Sequence, residues 1–286
     1  MDMHLLKTVV PIGLESPVKC LHLTDTHFCL SDDTDPPRVR EMAASRRAAF
    51  EGNDPGCIQR CWDEAVSYAR QHRLPILHTG DLIDFLSHGN AVYAEKSLQG
   101  LDVFFAVGNH EFCHYVGEAE EDLAYKMEQL PKIQPFLHEP LLFSSRVIGG
   151  INFVAVDDGY YLFTDWQRER LEYEAKKGLP VVLMLHNPLH TDALYSFVMN
   201  EGKQPCAYLT GTPEAMMDIY PPDRLAQQRP DAPTLRFIDY VLHEPAIRAV
   251  VAGHLHASFE GPLPSGVMQY VTDGLFRGCA REITFI

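Results

Sequence analysis

The sequence lacks, or has little of, several things that would each have named a class of protein. No apolar run approaches the roughly 20 residues that a helix needs to cross a bilayer. The opening residues, M-D-M-H-L-L-K-T-V-V-P, carry an early Asp and too short an apolar stretch for a signal peptide. A soluble, cytoplasmic protein without a membrane partner is therefore expected. Positive charge is scarce: 24 Lys and Arg stand against 39 Asp and Glu, a formal net charge of −15. Such a chain repels a phosphate backbone, so general nucleic-acid binding is not expected. Cysteine is thin, with 7 in 286 residues, an odd count that reads as free thiols in a reducing compartment. Cys57 and Cys61 fall one helical turn apart, but no second Cys/His pair of finger-like spacing accompanies them. Packing is the better account of that pair. Internal repeats and low-complexity tracts are absent.

What is present is an ordinary globular composition, 46% hydrophobic and 10% aromatic. The length suits one large domain, or a domain with an inserted lobe. The 14 histidines are more than this length calls for, which directs attention to metal ligands. The stretch Leu74–Phe85, L-P-I-L-H-T-G-D-L-I-D-F, is the centre of the pattern. Its apolar start suits a buried strand, which then breaks at Thr79-Gly80 and presents Asp81 and Asp84. A charge buried at the end of such a strand is costly unless a partner neutralises it. A metal ion fits, and Asp81 is the candidate to bridge two.

The same arrangement recurs along the chain. Val18–Thr24 reads as a strand ending in Asp25-Thr26-His27, where residues two apart face one side. Residues 31–55 read as a loop with a helical middle. Its Arg38, Arg40, Arg46 and Arg47 are candidate substrate-binding residues, since guanidinium matches phosphate geometry. Gly56–His72 has one apolar helical face and, followed by the Asp81 strand, makes a strand–helix–strand unit. After a helix around Ala91–Leu98, the strand Val103–Val107 runs into Gly108-Asn109-His110-Glu111. Glu118–Leu130 reads as an acidic amphipathic helix, Leu141–Val147 with Ile151–Val156 as a hairpin, and Asp165–Lys177 as a helix with Thr164 or Asp165 near its N-cap. Val181–Leu185 ends in His186, and Ala249–Ala252 in Gly253-His254-Leu255-His256. Between them, about 191–244, lies a proline-rich, partly helical insertion. Two further strands are expected at Val267–Thr272 and Glu282–Ile286.

A histidine after one strand is usually a cap. Five strands ending in Asp25/His27, Asp81, Asn109/His110, His186 and His254/His256 are another matter, because open α/β sheets place ligands at that edge. Two carboxylates, one amide oxygen and four imidazoles suit two ions, and mixed N/O ligands favour Mn, Fe or Zn over Mg or Ca. Two metals suit phosphoester hydrolysis.

The ordered blocks D25-T-H27, G80-D81-L-I-D84, G108-N109-H110-E111, H186 and G253-H254-L-H256 resemble the calcineurin-like metallophosphoesterase superfamily, over about residues 20–260. The resemblance implies an α/β fold, a four-layer α/β/β/α sandwich of two mixed sheets with a dinuclear site at the strand carboxyl ends, in one domain over 1–286. It implies two divalent or trivalent transition-metal ions, one on Asp25, His27 and His256, the other on Asn109, His186 and His254, with Asp81 bridging. His110 would protonate the leaving oxygen, and Asp84 and Glu111 would support the ligands, a carboxylate there orienting a histidine. The implied activity is hydrolysis of a phosphomonoester or phosphodiester by a hydroxide bridging the ions. The expected partner is a small phosphorylated substrate, nucleotide-like in one reading. A non-catalytic metal-binding scaffold of the same fold is the alternative, and the oligomeric state is not legible.

Overall fold

Alternating side chains decide the architecture. In β2 (Val18–Leu23), Leu21 and Leu23 enter one apolar cluster and Cys20 another. In β6 (Ile151–Val156), Phe153 and Ala155 face one way while Val154 and Val156 face the other. Strands that are apolar on both faces must be covered on both. Two stacked sheets with helices outside meet that demand.

The computed structural model describes residues 3–117, 122–137 and 139–286. Its first sheet has the order β1-β11-β2-β3-β4, where β1 is His4–Val10, β3 Ile76–His78, β4 Val103–Phe105 and β11 Cys279–Phe285. The second has the order β5-β6-β7-β8-β10-β9, with β5 Phe143–Ile148, β7 Val181–Met184, β8 Ile247–Ala252, β9 Phe259–Pro262 and β10 Met268–Val271. Leu77, Phe104, Phe153, Met184, Val251 and Phe285 pack between the sheets.

Helix α2 (Cys57–His72) covers the outer face of the first sheet, burying Ile58, Cys61, Trp62, Ala65 and Ala69 beside Leu21 and Ile76. Cys57 and Cys61 are free thiols within that packing. On the far side, α5 (Asp165–Ala175) and α8 (Ala232–His243) bury Leu171, Phe237 and Val241 against Val154, Leu183 and Val250. Thr164 caps α5 in a reciprocal capping box with Gln167. The result is the four-layer α/β/β/α sandwich.

β2, β3 and β4 are mutually parallel, as are β6, β7 and β8, so their carboxyl ends share an edge within each sheet. β5 and β6 form the expected antiparallel hairpin.

Several elements differ from the sequence reading. β1 and β9 were not anticipated; β1 pairs parallel to β11, a contact with the distant end of the chain that local pattern cannot reveal. Residues 31–55 are mostly one long helix, α1 (Pro37–Glu51), started by Pro37 in its first turn. The segment 191–244 is divided: α6 (Asp192–Ser196) and α7 (Pro222–Gln228) lie before α8, which belongs to the sandwich core. α4 spans Leu123–Ile133, with Asp122 as its cap; the expected start, Glu118 to Glu121, lies outside the described residues. No helix among the described residues is long and apolar enough to cross a membrane.

Candidate metal centre

The loops that leave β2 and β3 run side by side. Asp25 N donates to Gly80 O and His27 N to Asp81 O, each at 2.9 Å. Asp25, His27, Asp81, His254 and His256 all have positive φ, between 48° and 69°. Non-glycine residues avoid that region, and they cluster there where surroundings force a functional geometry. The close approach also dictates glycines. A Cβ on Gly108 would collide with Asp81, and one on Gly253 with Thr24 and Asp25.

Three of the expected ligands meet at one point and three at another. Asp25, His27 and His256 form one group; Asp81, His186 and His254 form the second. In the first, His27 Nε2 lies 3.0 Å from His256 Nε2, and Asp25 Oδ1 lies 3.2 Å from the latter. In the second, His186 Nε2 is 3.1 Å from both Asp81 Oδ2 and His254 Nδ1. Asp81 Oδ2 is also 3.7 Å from His27 Nε2, which sets this carboxylate between the groups.

Hydrogen bonds behind these atoms fix which face inward. His186 Nδ1 lies 2.7 Å from the Thr79 carbonyl, which can only accept, so Nδ1 carries the proton and Nε2 the lone pair. His27 Nδ1 donates to Asp84 Oδ1 at 3.0 Å, with the same consequence. Asp25 Oδ2 accepts from Thr24 Oγ1 and from His254 N, at 2.7 and 2.9 Å. Its other oxygen, Oδ1, is buried with only the ring nitrogens of His256 and His27 beside it, at 3.2 and 3.7 Å, and Asn109 Oδ1 is buried with no hydrogen-bond donor among the described residues. Native interiors rarely leave such oxygens bare, and hard oxygen beside imidazole nitrogen is the donor set of a transition metal. These residues fit two ions.

Electrostatics make the same demand. Burial alone would raise the Asp25 and Asp81 carboxyls, yet the histidines beside them hold both well below the usual range. Burial pulls the imidazoles of His27 and His186 down, but Asp25 and Asp84 beside the first and Asp81 beside the second carry each up to about 10. Positive charge is required at both points, and a proton or a metal ion can provide it.

A third group, His27, Asp84 and His110, is also close-packed. It is a hydrogen-bond set, because His110 Nδ1 donates to the Asp84 carbonyl at 2.6 Å while His27 Nδ1 takes the carboxylate. Glu111 does something other than orient a histidine. Its Oε1 accepts from Leu82 N and Ile83 N, and its Oε2 from Asp81 N and Gly108 N, at 2.7–3.3 Å. It clamps the β3 loop to the β4 loop.

The four arginines lie elsewhere than a phosphate clamp requires. Arg46 holds Asp84, and Arg47 donates twice to the Cys29 carbonyl. Arg38 lies over the Tyr115 ring and Arg40 is 3.9 Å from Asp33. The cleft above the ligands, about 240 Å³, is lined by Asp81, His110, His254 and His256 with Val198, Gln204, Tyr208 and Leu255. No arginine is among them. Of the four, only Arg46 reaches the ligands, and it does so through Asp84, which holds His27.

Sequence reasoning missed several supports. Phe50 stacks on His27 with centroids 4.5 Å apart, and Phe276 meets His256 edge-on. Asp158 accepts from His186 N and Asn187 N, both at 3.0 Å, and burial pushes its carboxyl up to about 7. A signal for Asp158 existed: V-A-V-D-D is one more strand ending in carboxylates.

No curated protein matches the sequence. Among solved structures, the chain is similar to a dimetal phosphatase from Danio rerio, at 14% identity over 91% of this chain and 88% of that one, with a TM-score of 0.47. It is similar to the calcineurin-like phosphoesterase YfkN from Bacillus subtilis, at 11% identity over 91% and 82%, TM-score 0.45. A 5'-nucleotidase precursor from Thermus thermophilus aligns at 14% identity over 90% of this chain but 48% of that one, TM-score 0.42, so this chain spans about half its length. The model of the calcineurin-like phosphoesterase family matches residues 18–258, and the chain belongs to that family.

Proposed function

We propose that this protein hydrolyses small phosphate esters with two transition-metal ions, Mn, Fe or Zn. One would be held by Asp25, His27 and His256, the other by Asn109, His186 and His254, with Asp81 shared. The observation that carries the reading is the pair of close-packed groups, Asp25, His27 and His256 beside Asp81, His186 and His254, with the Asp81 carboxylate within 3.7 Å of an imidazole nitrogen of each. Bound there, the ions would supply Lewis acidity toward the phosphate oxygens and a water ionised at neutral pH.

The protein's own residues do the rest. His110 lines the cleft, and its Nδ1 is engaged by the Asp84 carbonyl. Nε2 is therefore the nitrogen left to give a proton to the departing alkoxide. No Lys or Arg is among the described residues that line the cleft, so the ions and histidines would meet most of the phosphate charge. Tyr208, Val198 and Leu255 offer an apolar wall to the organic group, with the Gln204 amide beside it. The volume, about 240 Å³, falls below the ~300–1,000 Å³ usual for drug-sized ligands, which favours a small monoester or diester, a mononucleotide at the upper limit.

The test loads the protein with Mn, Fe or Zn and assays aryl phosphomonoesters, aryl phosphodiesters and nucleoside monophosphates. Turnover is expected, and His110→Ala should lower kcat by about 10²–10⁴ with both ions retained. Undiminished turnover in that variant would remove His110 as the acid. Failure of every loaded form on every ester would leave a metal-binding scaffold as the reading.

A further inference from the structure

Tyr161 belongs to no motif, yet its hydroxyl lies 2.8 Å from His254 Nε2. The opposite nitrogen of that ring, Nδ1, faces His186 Nε2 at 3.1 Å. Nδ1 is therefore the atom turned toward the second group of ligands, and Nε2 the atom turned away. A neutral imidazole has one proton to place. A hydroxyl that accepts it at Nε2 leaves the lone pair on Nδ1, where an ion needs it.

The backbone around Tyr161 is shaped for this contact. Tyr160 and Tyr161 have φ of 68° and 66°, two successive aromatic residues in a conformation that bulky side chains avoid. Both rings are buried. The segment is fixed to the neighbouring strand end: Tyr161 N donates to Asp158 O at 2.8 Å, Asn187 Nδ2 donates to the same oxygen at 2.6 Å, and the Asp158 carboxylate takes His186 N and Asn187 N. One turn after β6 thus grips the His186 loop through Asp158 and the His254 ring through Tyr161. Strain held in place by surrounding bonds, at a ligand, marks a functional constraint.

We infer that Tyr161 is a positioning residue that selects the His254 tautomer with a free Nδ1, and so sets the affinity of the ion shared by Asp81, Asn109, His186 and His254. The inference rests on the two-metal reading above.

The experiment titrates metal-free protein with Zn by calorimetry, comparing wild type with Tyr161→Phe. Wild type should bind two ions. The variant should bind one with unchanged affinity and the other 10- to 100-fold more weakly, and the metal concentration for half-maximal turnover should rise by a similar factor. Tyr208→Phe, whose ring lies 6.0 Å from the same imidazole, should leave both affinities unchanged. Two unchanged affinities in Tyr161→Phe would overturn the inference alone, as would equal weakening of both. A wild type that binds a single ion would overturn the two-metal reading and this inference with it. Should the variant not fold, nitrogen NMR of the metal-free wild type, at a pH where the His254 ring is neutral, decides: His254 protonated at Nε2 supports the inference, and protonated at Nδ1 refutes it.

Discussion

Arg46 holds Asp84 in a fork, Nε to Oδ2 at 2.6 Å and Nη2 to Oδ1 at 2.9 Å, and Oδ1 also takes the Nδ1–H of His27. Burial alone would raise the Asp84 carboxyl, but Arg46 and His27 hold it far below the usual range. The arginine that sequence suggested for a phosphate thus fixes a carboxylate, and the carboxylate fixes a ligand. Arg46→Ala should weaken the ion at His27 by about 10- to 100-fold, read by metal titration, while KM at saturating metal stays near wild type. Arg46→Lys keeps the charge but loses the fork and should fall between. A raised KM with unchanged metal affinity would return Arg46 to the substrate.

Variants at Asp81 and His256 would tell the two proposed ions apart. Asp81 Oδ2 lies between the groups, 3.1 Å from His186 Nε2 and 3.7 Å from His27 Nε2, whereas His256 faces Asp25 and His27. After dialysis against metal-free buffer, Asp81→Asn should lose both ions and His256→Ala mainly one, counted by elemental analysis. A variant at Asp81 that keeps one ion at full affinity contradicts the bridge.

Much of this geometry was legible because each ligand follows an apolar strand. Ile76-Leu77 announces β3, and Val181–Leu185 announces β7, so the polar residues that follow must lie at sheet edges. The five ends gave the candidate ligands, and the family that their ordered motifs resemble implied the layers. The supports were less visible. Tyr161 and Phe50 act through backbone angle and ring stacking, which no spacing encodes. Arg46 read as a cation for substrate because sequence cannot show that the Asp84 carboxylate lies within its reach. β1 stayed hidden because its partner is β11, at the other end of the chain.

Removing the ions should cost stability as well as activity. Without them, only protons can offset Asp25 and Asp81 among the buried imidazoles. An ion at a hundred times its Kd adds about 2.7 kcal/mol to the folded state, or roughly 4–5 °C in Tm for a chain of this length. Scanning calorimetry with a chelator and then with excess Mn should show that rise, and turnover should vanish and return in step. A Tm indifferent to Mn and Zn alike would argue that the groups hold no ion.

Glu111 gives the sharpest separation of support from chemistry. Its two oxygens accept four backbone N–H groups, from Asp81, Leu82, Ile83 and Gly108, in a fully buried position. Burial and the charge of Asp81 push this carboxyl up to about 7 while the N–H groups pull it down. Glu111→Gln keeps the shape but turns one acceptor into an NH₂ group, which faces two N–H donors whichever way the amide lies. Leaving a buried donor unpaired costs about 1–3 kcal/mol, so the variant should lose about 2–6 kcal/mol in urea unfolding with the slope unchanged. The measurement belongs in chelator, where ion binding cannot contribute. His110→Ala, at a partly exposed side chain, should cost far less stability under the same conditions. Equal losses in the two variants, or none in Glu111→Gln, would mean that the β3 and β4 loops are held together by something other than this clamp.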